Sequence, residues 1–276
     1  MAIHYSLKSS AFDCHLSNSP DSENASTLTI ILRIAFVMLE PSGNAKIRDH
    51  QNRPFSIIPW TQTDFAHYVA KFKKSVEETW NDKIFILLPD PQDPKVALSK
   101  ADYQAFQHRD KRVRDKYPPF IRCELEIVTL ADETGSHATF TIARLLAGSP
   151  IFGSYTHQKT KTGRDNNLLT DQDVEFRKRK GEDNMYYHTA SHEVGHLLGL
   201  QHINRQAADC LKGNEEICYG ATPYQARDIM GKGMVVDADS AKPWLDCIRK
   251  LTSHAKGWKA THLSPPIEEL LEPFGH

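Results

Sequence analysis

Apolar residues run almost unbroken from Leu28 to Leu39, interrupted by Arg33 and stopped by Pro41. A run of this kind predicts a buried strand over 27–40. The period then changes. Phe65, Tyr68, Val69, Phe72, Val76 and Trp80 recur every three or four positions, which gathers them on one face of a helix ending at Trp80. Thr61 or Thr63 can cap its first turn. Residues 83–88 form a short apolar strand stopped by Pro89, and a loop rich in Pro and Asp follows over 89–94. A partly helical stretch is predicted over 98–117, ended by Pro118 and Pro119. Residues 120–130 and 137–146 read as strands, and the turn residues Asp132 to Ser136 suit a hairpin between them. Residues 148–183 look mostly irregular. A helix follows from Asp183 or Asn184 to Gly199. A last one, Ser240 to His254, sets Trp244, Leu245, Ile248 and Leu251 on one face.

Strands and helices in this order predict an α+β (α/β-like) fold, without internal repeats. The polar residues 1–26 are expected to be a flexible lead-in, 27–256 a single domain and 257–276 a C-terminal tail. The chain has 276 residues, 39% hydrophobic and 25% charged, which suffices for a real core. Its net charge of −1 offers no field for nucleic acid or an anionic membrane. The run Leu28–Leu39 is too short to span a bilayer, which takes about 20 residues. Residues 1–20 lack a basic start followed by an apolar segment. The expectation is synthesis in the cytoplasm without a Sec-type signal. The five cysteines, Cys14, Cys123, Cys210, Cys218 and Cys247, are too sparse for a disulfide-built scaffold. Buried or free thiols are the default, with a Cys210–Cys218 bridge as the alternative.

The chemistry lies in His192-Glu193-Val194-Gly195-His196-Leu197-Leu198-Gly199-Leu200-Gln201-His202. Positions four apart share a helix face, so His192 and His196 can reach one ion. Glu193 projects beside the first ligand without needing to bind the metal. Gly199 can take positive φ, end the helix and turn His202 back to the same ion. Three neutral imidazoles leave a fourth position open, as in a catalytic site for one Zn2+ rather than a closed structural one. His188 is one turn too far along to share that ion and reads as a supporting polar residue.

HExxHxxGxxH followed by a methionine in a tight turn resembles the metzincin zinc metallopeptidases. The methionine is Met230, within Arg227-Asp228-Ile229-Met230-Gly231, 28 residues after His202. The resemblance implies a zincin with a twisted mixed sheet and helices above the cleft, residues 27–202. The Met-turn and a C-terminal helix, residues 203–256, would lie below it. It implies a zinc-dependent endopeptidase that hydrolyses peptide bonds of protein substrates. His192, His196 and His202 would hold the metal, Glu193 would activate the water, and Met230 would form a floor under the histidines. The substrate would bind as an extended strand along a sheet edge supplied by 137–146. Met234, Val235 and Val236 would wall the pocket for the side chain after the scissile bond. The string is most similar to matrixin and serralysin forms, but Ile203 follows the third histidine and Lys232 stands where astacins and serralysins carry a tyrosine. The subfamily is therefore unassigned. Tyr219 and Tyr224 lie in the connecting loop and receive no role.

Small metzincin-like domains of bacterial effectors and toxins also resemble the chain. They imply export by a dedicated secretion machine and a cognate inhibitor or immunity protein. The alternative class is a non-catalytic zinc-binding module that recognises a protein, against which Glu193 argues. The basic run Arg177-Lys178-Arg179-Lys180 reads as a solvated loop. Asp165, Asp171 and Asp173 read as turn and cap residues, because their spacing fits no calcium loop. Cys14 is not set in a motif that would make it an inhibitory zinc thiolate.

Overall fold

The computed structural model describes residues 4–18, 26–42, 46–49, 51–87, 98–99, 120–156, 167–178, 186–211, 215–251 and 258–264. In chain order the first strands are β1 (His4–Leu7), β2 (Asp13–Asn18), β3 (Ser26–Met38), β4 (Lys46–Arg48) and β5 (Pro54–Ile58). Helix α1 (Gln62–Trp80) leads to β6 (Ile84–Leu87), β7 (Leu98–Ser99), β8 (Phe120–Leu130), β9 (Ala138–Leu145) and β10 (Leu168–Thr170). Two-residue strands β11 (Arg177–Lys178) and β12 (Tyr186–Tyr187) pair just before α2 (Thr189–Leu197). Three short helices follow, α3 (Ala208–Leu211), α4 (Glu215–Cys218) and α5 (Pro223–Arg227), then α6 (Lys242–Leu251) and β13 (Lys259–Ser264). Helices together with a mixed sheet place the protein in the α+β class.

The long apolar run is the centre of the sheet. In β3 the side chains of Leu28, Ile30, Leu32 and Ile34 are fully buried, while Thr29, Ile31 and Arg33 between them are half-buried. That alternation gives one face to the helices. β8 lies parallel to β3 along one side. The other side is shared: β2 pairs antiparallel with its first half, and β9 pairs parallel with its second. Beyond β8 come β6, β13 and β7; β9 also pairs with β5, and β5 with β4.

Helix α1 forms as its periodicity predicts. Thr61 Oγ1 accepts the Asp64 amide at 3.1 Å, and Tyr68, Phe72, Val76 and Trp80 make the buried stripe. Its far end is tied to the backbone of β8. β6 pairs only with residues 120–122 of that strand. The next edge groups are taken up by side chains instead: Asn81 Oδ1 accepts Leu125 N at 2.7 Å, and Glu77 Oε1 accepts Ile127 N at 2.8 Å. Trp80 and Trp244 meet with ring centroids 6.0 Å apart. Trp80 Nε1 donates to Ser191 O at 3.2 Å, and Trp244 Nε1 to Glu124 O at 2.9 Å. This pair of indoles joins α1, α2, α6 and β8, with both polar tips satisfied. No helix among the described residues is long and apolar enough to cross a membrane.

Several expectations are corrected. Residues 4–7 and 13–18 are not a loose lead-in. They are sheet strands, Cys14 and Leu16 lie in the core, and Asp13 is ion-paired to Arg33. β8 and β9 form no hairpin, because they flank β3 on opposite sides. Their connection passes β3, where Arg33 Nε donates to Gly135 O at 2.7 Å and His137 N to Arg33 O at 2.8 Å. The helix that carries the histidines starts at Thr189, not near 183, since Tyr186 and Tyr187 are spent on pairing with β11. Within the tail, residues 259–262 pair antiparallel with β6. Two disulfides are present, Cys14–Cys247 and Cys210–Cys218, and Cys123 is a buried thiol. The helical stretch over 98–117 lies outside the described residues except for β7, as do the loop 89–94, Asp165, Arg179, Lys180 and the tail beyond Ser264.

Candidate metal centre

Helix α2 sets His192 and His196 one turn apart, and its end delivers the third histidine. Gly199 has φ of +87°. Leu200 N donates to Gly195 O at 3.0 Å and Gly199 N to His196 O at 2.9 Å. These two bonds make a glycine-closed helix terminus of the Schellman type, in which only glycine sits without strain. The chain reverses there, and His202 comes back to the helix. One nitrogen from each of His192, His196 and His202 falls within a set whose members all lie within 4.8 Å of one another. The Nε2 atoms of His196 and His202 are 3.1 Å apart.

The two helical histidines each have one ring nitrogen held by a backbone carbonyl. His192 Nδ1 lies 2.7 Å from Ile229 O, and His196 Nδ1 lies 2.9 Å from Leu200 O. A carbonyl only accepts, so each Nδ1 carries a hydrogen, and Nε2 is the nitrogen of each ring left to face a metal. Burial, helped by the neighbouring His196, pushes His192 down to about 3. Burial, then His192 and His196, pushes His202 down to about 3. Both rings are therefore neutral at neutral pH, the form that binds a metal. The donor set could hold a metal ion, and its chemistry fits zinc with one position left open.

Met230 stands beneath α2. It occupies the tight turn Asp228–Gly231, closed by Gly231 N to Asp228 O at 2.9 Å, and Asp228 Oδ1 accepts Met230 N at 2.6 Å. The turn touches the centre three ways. Ile229 O orients His192, Met230 O accepts Ile203 N at 3.2 Å, and the Met230 thioether lies against Gly195. A Cβ at position 195 would overlap the sulfur, and would stand 3.2 Å from Met230 Cε and 3.4 Å from Trp80 Cζ2. The glycine between the two helical histidines is what lets the methionine in. Burial, then Asp237, pushes the Asp228 carboxyl up to about 7.

Glu193 is buried on α2 and stands outside the three-nitrogen group. Met234 and Val235 are half-buried, and Ile229 N donates to Val235 O at 2.8 Å. Val236 is buried and packs with the main core. The expected edge over 137–146 is corrected. β9 has β3 and β5 on one side and β10 on the other. β10 is itself covered, because Leu168 exchanges hydrogen bonds with Tyr155 and the Thr170 amide is taken by Asp173 Oδ2 at 2.6 Å. Asp171 and Asp173 thus serve turns and edges, as their spacing suggested. Burial pushes Asp173 up to about 6. His188 caps α2: its Nδ1 accepts Ser191 N at 3.2 Å and lies 2.7 Å from Ser191 Oγ. Burial pushes it down to about 4.

One residue at the centre was missed by sequence reasoning. The ring of Tyr219 packs on His202, with centroids 4.1 Å apart, and lies 5.8 Å from the ring of His192. The only sequence cue was that it directly follows Cys218. No family model, curated protein or solved structure matches the chain.

Proposed function

We propose that the protein is a zinc-dependent endopeptidase of the metzincin type. The observation that carries this reading is the convergence of three imidazole nitrogens within 4.8 Å, next in sequence to the buried carboxylate of Glu193. Zinc held by three imidazoles acidifies water and polarises a carbonyl oxygen at its open position. The protein's own residues do the rest. Glu193 accepts the proton of the attacking water and returns it to the leaving amine nitrogen, base first and acid second. The Ile229 and Leu200 carbonyls keep the Nε2 atoms of His192 and His196 aimed inward. Gly199 brings in the third ligand, and Met230 holds up the helix that carries the first two. Met234 and Val235, half-buried beyond the turn, would contact the substrate side chain after the scissile bond.

The test is Glu193→Gln. The variant should bind zinc at the wild-type stoichiometry and lose at least about a hundredfold in turnover of a fluorogenic peptide library, the scale of general acid–base catalysis. Unchanged turnover in a zinc-loaded variant would sink the mechanism. A wild-type protein that acquires no zinc would sink the site.

A further inference from the structure

The three ligands are not held alike. His192 and His196 ride on α2, and carbonyls fix their rings. His202 lies past the helix end, and its place depends on the lower segment of the chain. Ile203 N, directly after it, donates to Met230 O at 3.2 Å. Asn204 makes two bonds to a single stretch: its N donates to Cys218 O at 3.1 Å and its Nδ2 to Ile217 O at 3.0 Å. The next residue of that stretch is Tyr219, whose ring lies on the His202 ring at 4.1 Å with a 40° tilt. Two carbonyls and one aromatic ring, from three consecutive residues, thus grip His202 and Asn204. The middle residue of the three, Cys218, is bonded to Cys210, 4.9 Å away between Cα atoms. The bridge joins α3 to α4, each of only four residues. Helices that short do not hold their shape unaided.

We propose that the Cys210–Cys218 bridge is a redox-sensitive clamp on the third metal ligand, acting through Tyr219 and the carbonyls of Ile217 and Cys218. Tyr219 is a positioning residue here: its ring restricts His202 to the ligating orientation. A dithiol reductant supplies two electrons and two protons, the bridge becomes two thiols, and the reductant becomes a disulfide. The stretch 217–219 then loses its covalent anchor, and metal affinity falls. This inference rests on the metal-binding part of the proposed function and not on hydrolysis.

The experiment measures zinc affinity by competition with a chromophoric chelator, in the full chain. It compares wild type, Tyr219→Phe, Tyr219→Ala, the Cys210→Ser/Cys218→Ser pair and His202→Ala. The serine pair leaves Cys14–Cys247 intact and adds no thiol that could itself bind zinc. Groups that orient a ligand typically contribute tenfold to a hundredfold in metal affinity. Tyr219→Ala and the serine pair should each weaken zinc binding by at least about tenfold, towards the value of His202→Ala, and Tyr219→Phe should stay near wild type. The visible spectrum of the cobalt-substituted protein should change in the same two variants, reporting altered coordination rather than lost stability. Affinities within twofold of wild type in both Tyr219→Ala and the serine pair would overturn the clamp. Equal losses in Tyr219→Phe and Tyr219→Ala would overturn the assignment to the ring. If wild type binds no zinc, the site reading falls with it. If wild type binds zinc but cleaves nothing, the clamp is still decided by these affinities.

Discussion

Gly195 and Met230 should behave as one unit. A methyl at position 195 would overlap the Met230 sulfur and press on Trp80 Cζ2 at 3.4 Å. Met230 is 3% exposed and Trp80 fully buried, so neither can swing aside into solvent. Overpacking of this kind costs about 1–3 kcal/mol. Against that, alanine is better than glycine inside a helix by about 1 kcal/mol. Gly195→Ala should therefore lose about 0–2 kcal/mol net. Met230→Ala alone empties a buried site and should lose about 2–5 kcal/mol. In the double variant the new methyl enters the space the thioether left. The clash is gone, the helix gain remains, and part of the cavity is filled. The double variant should thus be more stable than Met230→Ala, with a coupling of about 1–3 kcal/mol. Urea unfolding of the metal-free protein with its disulfides intact measures all four corners of the cycle. Additivity to within about 0.5 kcal/mol would mean that the two residues are not in contact, and the account of why glycine sits between the histidines would be wrong.

Two further outcomes are expected. His188 has its folded-state value pushed down from 6.5 to about 4. Stability from its neutral ring is complete above the ordinary value and is lost as pH falls through that window, because only unfolded chains take up the proton. His188→Asn keeps a cap acceptor for Ser191 but does not titrate. Comparing urea midpoints across that range should show a shallower acid loss in the variant, and parallel curves would refute the reasoning. Chelation should destabilise the protein, by about 2.7 kcal/mol when free zinc had stood a hundredfold above its dissociation constant. His202→Ala should remove most of that response, and an undiminished response would place the bound zinc elsewhere.

What the sequence revealed follows from the range of each interaction. α1 was legible because its stripe repeats within one element, and its cap at Thr61 is three residues from the amide it serves. The three histidines were legible because helix geometry and one glycine convert their spacing into position. β2 was not, because Asp13–Asn18 alternates with only Cys14 and Leu16 facing the core, and its pairing with β3 is a backbone matter. The residues Asp132 to Ser136 suit a hairpin and a strand crossover equally, and only the placement of β3 between β8 and β9 decides. The bridge between Cys14 and Cys247 spans 233 positions and leaves no local mark. Tyr219 looked like any loop aromatic until the neighbouring cysteine and Asn204 located it. Met230 was singled out by its place after the histidine motif, but its contact with Gly195 appears only in three dimensions.

That long bridge changes how the molecule carries load. A chain pulled from its two ends normally feels the tension through every strand and helix in turn. Here the covalent path runs from Cys14 straight to Cys247. Tension applied at the termini bypasses everything between them and reaches only residues 1–13 and 248–276. The segment that carries all three histidines and Met230 lies inside the bypass. Stretching the oxidised protein should release little more than those ends, principally β1 and β13, while the reduced protein should extend along its whole length.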